Sequence, residues 1–242
     1  MQFFSPQSYA AGDQNWDIDQ ADDKSIYVAN NKGLLEYNGS NWNLYSLESQ
    51  TIVRSVKVIN NKIYTGSYMD FGFWEKNDSG LLEYSSLKDK LKLNLIEDEE
   101  FWQIIDLEDW ILFQSFDRIY IYNSVKENVN IIESNVRISK IFKVNDIIYF
   151  QKMSMGIYKI EKGKAEIVSE NVEMANKEII NIFDYDSGLL IQTRENGFFT
   201  LIDNELNVWN TKTNDFLSTL SVYSSIKLED NSFILGTISN GI

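Results

Sequence analysis

One pattern recurs six times along the 242-residue chain: a short apolar strand, a polar or glycine-rich turn, and a second apolar strand. The copies read IYVANNKGLLEY from Ile26, IYTGSYMDFGFWEK from Ile63, ILFQSFDRIYIY from Ile111, IYFQKMSMGIYKI from Ile148, LLIQTRENGFFTL from Leu189 and FILGTISNGI from Phe233. Their starts lie 37, 48, 37, 41 and 44 residues apart, close to the roughly 40 to 50 residues of a four-stranded propeller blade. Aligned on the first strand, Val28, Thr65, Phe113, Phe150, Ile191 and Leu235 form one column, apolar or β-branched as a buried strand position requires. Small or amide residues follow: Ala29, Gly66, Gln114, Gln151, Gln192 and Gly236. Five copies close the turn with a glycine (Gly33, Gly72, Gly156, Gly197, Gly241), suited to positive φ. The third copy has Arg118 and Ile119 there and is one residue shorter, which predicts a different hairpin.

Further strands flank each copy. Upstream lie NWDIDQ, VRSVKV, WQIIDL, SKIFKV, INIFDY and STLSVY, whose alternation of apolar and polar residues predicts half-buried strands. Downstream, NWNLYSL, LLEYSSL, VNIIES, AEIVSE and LNVWNT follow the first five copies. Tight turns such as ADDK, INNK, EDW, NDI and DSG, rich in hairpin-forming Asp, Asn and Gly, join upstream strand to anchor. The repeat therefore predicts an all-β β-propeller of four-stranded antiparallel blades, a single domain over 1–242 with about five and a half blades. The third strand of the sixth blade begins only at Ile242, so the ring is expected to be truncated and the chain a fragment of a longer protein. The alternative is an irregular six-bladed ring closed by the N-terminal segment.

A chain with 43% hydrophobic and 14% aromatic residues can bury a substantial core. Its single proline, Pro6, lies outside the strands, as ladders that need every amide donor require. With no histidine and no cysteine, the chain lacks the side chains for Ser-His-Asp or Cys-His catalysis, His- or Cys-ligated metals and disulfides. No cofactor and no metal are expected. A formal charge of −14 repels nucleic-acid phosphate and anionic membrane surfaces, so no direct nucleic-acid contact is expected. No stretch approaches the roughly 20 apolar residues of a membrane span, and residues 1–10 contain no charged region followed by an apolar one.

The passages SPQSYAAGDQNWDIDQ, IYVANNKGLLEYNGSNWNLYSL, TIVRSVKV and KIYTGSYMDFGFWEK together resemble the start of the two-component regulator propeller sensors of Bacteroidetes-type bacteria. The most specific piece is GLLEYNGSNW, from Gly33 to Trp42, and the match covers about the first 90 residues, the remainder sharing only the repeat pattern. This resemblance implies a non-catalytic, ligand-sensing domain in the periplasm, within an ectodomain of two propellers and a β-sandwich followed by a membrane span. It also implies a kinase or DNA-binding output elsewhere in the receptor, the remaining blades and sandwich as partners, and a homodimer as one arrangement of the full receptor.

In a propeller, the loop entering each blade's first strand and the loop joining its second and third strands open near the axis. The entering loops carry Asn15, Trp16, Arg54, Trp102, Arg137 and Asn181; the second set carries Asn30, Asn31, Tyr68, Asp70, Phe116, Asp117, Met153, Arg194 and Glu195. Aromatic faces stack on sugars, and Arg, Asn and Asp hydrogen-bond hydroxyls or carboxylates, so the mixture suits an oligosaccharide or other small molecule, including one that bears a carboxylate. Asn15, Trp16, Asn30, Arg54, Tyr68, Asp70, Trp102, Arg137 and Arg194 are the ligand-binding candidates.

Plainer roles compete for the same residues. The six tryptophans, Trp16, Trp42, Trp74, Trp102, Trp110 and Trp209, fall near strand ends where rings fill the space between blades. Arg54 and Arg137 can pair with acidic residues of a neighbouring blade, and Asn30, Asn31 and Asn196 suit turns. Asp19, Asp22 and Asp23 lack calcium-loop spacing. Two whole-domain alternatives stand beside the sensor: a propeller glycosidase or lyase using a carboxylate pair drawn from Asp70, Asp117, Glu178 and Glu195, and a protein-interaction scaffold.

Overall fold

The Asp- and Asn-rich turns that end each blade's first strand bring the chain back through the left-handed region: φ is 72° at Lys24, 48° and 64° at Asn60 and Asn61, 53° at Glu108 and Asn145, and 45° at Asp186. Such turns match the right-handed strand twist and fold each repeat into a meander. In the computed structural model, which describes residues 4–239 and 241, β1 (Asn15–Gln20), β2 (Ile26–Asn30), β3 (Gly33–Tyr37) and β4 (Trp42–Tyr45) make the first antiparallel sheet. The second comprises β5 (Val53–Ile59), β6 (Lys62–Ser67), β7 (Phe71–Lys76) and β8 (Leu82–Ser86). The third comprises β9 (Gln103–Leu107), β10 (Trp110–Gln114), β11 (Arg118–Asn123) and β12 (Asn128–Glu133).

The fourth sheet is β13 (Ile138–Val144), β14 (Ile147–Lys152), β15 (Gly156–Glu161) and β16 (Lys164–Ser169). The fifth is β17 (Ile179–Tyr185), β18 (Gly188–Thr193), β19 (Phe198–Ile202) and β20 (Glu205–Val208), and β21 (Val222–Lys227) pairs with β22 (Phe233–Thr237). The chain forms two compact units, Met1–Ile131 and Ile132–Ile242.

In the first unit, neighbouring blades are joined by aromatic packing and by side chains that bond backbone. Phe71 lies 4.5 Å from Phe101, 4.6 Å from Phe113 and 5.1 Å from Tyr120, ring centre to ring centre, and all four are fully buried. Each such pair contributes about 0.5 to 1.5 kcal/mol beyond its buried area. The carboxylates of Asp17 and Asp19 on β1 accept hydrogen bonds from the amides of Val56 (3.0 Å) and Val58 (2.8 Å) on β5. The N-terminal segment packs on the first blade, with Phe4 5.3 Å and Tyr9 5.6 Å from the Trp42 ring.

In the second unit the amide column does comparable work. Buried Gln151 donates to the carbonyl of Lys177 (2.7 Å) and accepts from the amide of Ile179 (3.0 Å), tying the fourth blade to the strand that opens the fifth. Asn181 Nδ2 donates to the Ser225 carbonyl (2.9 Å), linking β17 to β21.

The structure departs from the sequence expectation at two places, and it bears out the expected difference of the third hairpin. STLSVY, residues 218–223, is a strand only from Val222, where β21 begins; 218–221 form the turn that follows the unexpected helix α4 (Lys212–Leu217). Thr211 caps that helix by accepting from the Asn214 amide (3.1 Å), and buried Asn214 clasps the backbone of Phe198 through bonds of 2.6 and 3.0 Å. The hydroxyls of Ser218 and Thr219 donate to the carbonyls of Asp215 (2.8 Å) and Phe216 (2.7 Å), so these two residues close the helix and do not open a strand. Gly72 does not have positive φ; it lies within β7, where a Cβ would strike the Ser85 carbonyl. The third hairpin closes through Ser115, whose Oγ accepts from the Arg118 amide (3.0 Å), in place of a glycine. The strand expected to begin at Ile242 lies outside the described residues.

Two outcomes follow. Gly33 and Gly156 both have φ of 139°, and a Cβ on either would strike a carbonyl of the next strand, Tyr45 or Ser169. Gly33→Ala and Gly156→Ala should each lower unfolding free energy by about 1 to 3 kcal/mol, with a smaller loss for Gly39→Ala, which meets no neighbour within 4 Å. Urea midpoints check this, and equal losses at all three sites would contradict it. Burial also raises the Asp17 carboxyl above its ordinary 3.8, against the hydrogen bonds from Val56 and Ile18. The folded state thus binds this proton more tightly than the unfolded chain. The resulting stability is full below pH 3.8 and is lost as pH rises through the folded value. Wild type should therefore gain stability relative to Asp17→Asn as pH falls from 7 to 4, measured by urea titration at both values.

Candidate functional site

Five of the six first strands among the described residues share a local irregularity that changes where one side chain is aimed. In β1, β5, β13, β17 and β21 the pairing register slips near the start of the strand, so an extra residue is left unopposed. That residue is Trp16 between Asn15 and Asp17, Arg54 between Val53 and Ser55, Ile180 between Ile179 and Asn181, and Tyr223 between Val222 and Ser224. In β13 the slip spans Ser139 and Lys140. β9 pairs regularly, and Trp102 stands just ahead of it, its amide bonded to the Gln114 carbonyl (2.8 Å). A bulge re-aims a side chain that regular pleating would send to a fixed face.

In the first unit these positions converge. The Arg54 guanidinium lies 4.1 Å from the centre of the Trp16 ring and 4.6 Å from that of Trp102. Its Nε and Nη2 both donate to Glu100 Oε1, at 3.1 and 2.7 Å. The Trp16 indole donates to Asn31 Oδ1 (2.7 Å), and Trp102 stacks on Phe116 at 5.2 Å and 18°. The Arg54 side chain is only 11% exposed, which strengthens both the ion pair and the cation–π contacts relative to a surface pair. Arg54 Nη1 and Trp102 Nε1 are buried and meet no acceptor among the described residues. The result is a half-buried aromatic cluster of Trp16, Trp102 and Phe116 around a cation that Glu100 neutralises.

A second cluster forms in the other unit. Arg194 makes a two-pronged ion pair with Glu178, Nε to Oε2 and Nη2 to Oε1, both at 2.7 Å. That pairing holds the guanidinium above its ordinary pKa. Arg194 lies 5.9 Å from the Tyr223 ring, and Lys140 Nζ lies 5.6 Å from the same ring and 3.5 Å from the Tyr223 carbonyl. Burial lowers the Lys140 ammonium from its ordinary pKa, partly offset by Glu178.

The remaining candidates separate by environment. Asn30 is fully buried and occupied internally: its amide donates to the carbonyls of Gly12 (2.7 Å) and Gln14 (3.1 Å) and to Asn15 Oδ1 (2.7 Å), and its oxygen accepts from the amides of Gly12 and Lys32. It pins the N-terminal segment. Asp70 closes its own turn, accepting from the Phe71 amide (2.8 Å) and Ser86 Oγ (2.7 Å), and burial raises its pKa. Tyr68 is 40% exposed and its hydroxyl donates to Asp98. Arg137 is exposed on the segment before β13, where its carbonyl accepts from the Met153 amide. Sequence reasoning missed Glu100, Lys140 and Tyr223 as members of the clusters. For Lys140 and Tyr223 the signal was an aromatic or cationic residue at the second or third position of a first strand. No group of three His, Cys, Asp or Glu side chains that could hold a metal occurs among the described residues.

Arg54→Lys keeps the charge but loses the indole contacts and the paired donors, so it should lower unfolding free energy by about 1 to 2 kcal/mol. Glu100→Gln should show strong non-additivity with it in a double-mutant cycle. Additive effects would contradict the coupled cluster.

No family model matches the sequence, and no curated protein matches it. Solved structures do match. A protein described as the extracellular domain of a hybrid two-component system from B. thetaiotaomicron superposes with a TM-score of 0.65 at 15% identity, covering 94% of this chain and 31% of its own length. A second such extracellular domain from that organism gives 0.64 at 16% identity, covering 99% and 34%. Virginiamycin B lyase from Staphylococcus aureus gives 0.64 at 10%, covering 93% and 84%. The chain thus spans about a third of the length of the extracellular domains it matches. The fold is all-β, built of four-stranded propeller blades, and is shared with extracellular domains of B. thetaiotaomicron two-component systems.

Proposed function

We propose that this chain is the propeller part of a ligand-sensing, extracytoplasmic domain of a bacterial signal-transduction regulator, non-catalytic in itself, with an oligosaccharide as ligand. The observation that carries this reading is a convergence. The N-terminal sequence resembles two-component regulator propellers, and the fold independently matches extracellular domains described as parts of two-component systems. The two clusters supply the chemistry: indole and phenol faces for sugar rings, with guanidinium and carboxylate groups at their edges. Signalling requires the ligand to bind one arrangement of the receptor more tightly than another, because only differential affinity shifts a population. Among the described residues no helix is long and apolar enough to cross a membrane, so the anchor and output belong to other parts of the receptor in this reading. The remaining blades, a sandwich domain and a second receptor copy are its proposed partners, and the periplasm its proposed location.

A lyase reading has one observation in its favour, the shared fold of virginiamycin B lyase. Against it, Asp70 closes its own turn with Phe71 and Ser86 and Glu178 is held in a two-pronged pair by Arg194, which gives both a structural role. Thermal-shift titration of the chain against plant, algal and host oligosaccharides, with chromatography for products, separates the readings. A saturating ligand at about 100 times its Kd should add about 2.7 kcal/mol, on the order of 5 to 10 °C, without turnover. Trp16→Ala or Trp102→Ala should abolish the shift for a ligand on the first cluster. Product formation would overturn the non-catalytic reading, and silence across the panel would overturn the oligosaccharide.

A further inference from the structure

The two clusters differ in charge balance. In the first unit the bulge cation Arg54 is matched by one carboxylate, Glu100, through two donors. In the second unit the β13 bulge supplies Lys140, and the cluster holds two cations, Lys140 and Arg194, around Glu178, whose two oxygens are both taken by Arg194. Lys140 reaches only the Tyr223 carbonyl (3.5 Å) and the Tyr223 ring, and no carboxylate lies within ion-pair distance of it among the described residues. Glu178 acts on Lys140 only through space, without an ion-pair contact and against the opposing charge of Arg194, and Glu195, exposed beside Arg194, acts on Arg194 and not on Lys140. A half-buried ammonium without its own counter-ion is unusual in a chain of net charge −14, where carboxylates are abundant. Tyr223, 58% exposed, offers an open ring face beside both cations.

We infer that Lys140, Arg194 and Tyr223 form an anion subsite that takes the carboxylate of an acidic sugar, the ammonium and guanidinium holding the carboxylate and the Tyr223 ring carrying the sugar face. This rests on the ligand-sensing reading and narrows it to a uronic-acid-containing class. A carboxylate here receives the counter-ion role that Glu100 fills in the first unit, with an Arg and a Lys as charge-assisted donors. The Glu178 carboxylate orients Arg194 and leaves the far edge of the guanidinium for the ligand. A neutral sugar can use the ring face but leaves Lys140 uncompensated.

The test is an NMR titration of the whole chain with glucuronate and galacturonate, with glucose and galactose as uncharged controls. The expected result is saturable shifts at the side chains of Lys140, Arg194 and Tyr223 with the acids alone. Lys140→Gln should weaken acid binding about tenfold or more, and Lys140→Arg should restore it. Unchanged acid binding in Lys140→Gln, equal shifts with the neutral sugars, or no acid-dependent shift at this cluster would each overturn the subsite. Neutral oligosaccharides binding in the thermal-shift titration with no acid preference would remove this inference while leaving the sensor reading standing.

Discussion

The bulge near the start of the blades' first strands is the constraint on which the candidate surfaces depend. A regular antiparallel ladder sends alternate side chains to fixed faces, where the blade packs against its neighbours. One extra residue breaks that alternation locally and re-aims a side chain without disturbing the rest of the strand. At β17 the re-aimed residue is buried Ile180, and elsewhere it is polar or aromatic. Beyond the slip, β1 resumes a register in which Asp17 and Asp19 reach the amides of Val56 and Val58, so the blades remain tied while Trp16 turns outward to Arg54. The same backbone device yields different chemistry according to the residue it releases, an indole at position 16, a guanidinium at 54 and a phenol at 223.

The energetics of the two clusters follow from burial and pairing. Arg54 is nearly enclosed, its guanidinium 4.1 and 4.6 Å from the centres of two indoles, contacts that an ammonium on a Lys stem does not reproduce. Its ion pair with Glu100 neutralises the cluster. The Arg194–Glu178 pair is more exposed, so its direct contribution to stability is smaller, and its use is geometric: it holds one edge of the guanidinium fixed beside Tyr223. Lys140 adds charge that the cluster does not balance.

Blade architecture was legible in the sequence because strand alternation and Asn- or Asp-rich turns are local signals, and the anchor copies coincide with paired strands from β2–β3 to β18–β19. Trp16, Arg54 and Trp102 were legible for the same reason: each stands at the head of an alternating segment. Arg137 was assigned the equivalent place in the fourth blade, but the slip there falls at Ser139 and Lys140, because bulge position depends on how the preceding loop enters the sheet. Glu100 and Glu178 carry no local mark, since their roles arise from partners 46 and 16 residues away. Asn30 looked like a ligand contact because turn asparagines and binding asparagines are identical in sequence. Only the enclosure of its amide by Gly12, Gln14 and Asn15 identifies it as a fastener. α4 was missed because its Thr211 cap is a single local bond outside the alternating segments, and the clasp of Asn214 on Phe198, 16 residues away, leaves no local mark.

The central claim is that ligand is sensed at the bulged ends of the first strands. Hydrogen exchange of the whole chain, with and without a bound oligosaccharide, tests it most directly. The account predicts slowed exchange confined to amides around 14–18, 52–56 and 100–103 or around 138–141, 178–182 and 222–225, with the outer strands β4, β8, β16 and β20 unchanged. Protection centred on those outer strands, with the first strands unaffected, would contradict it.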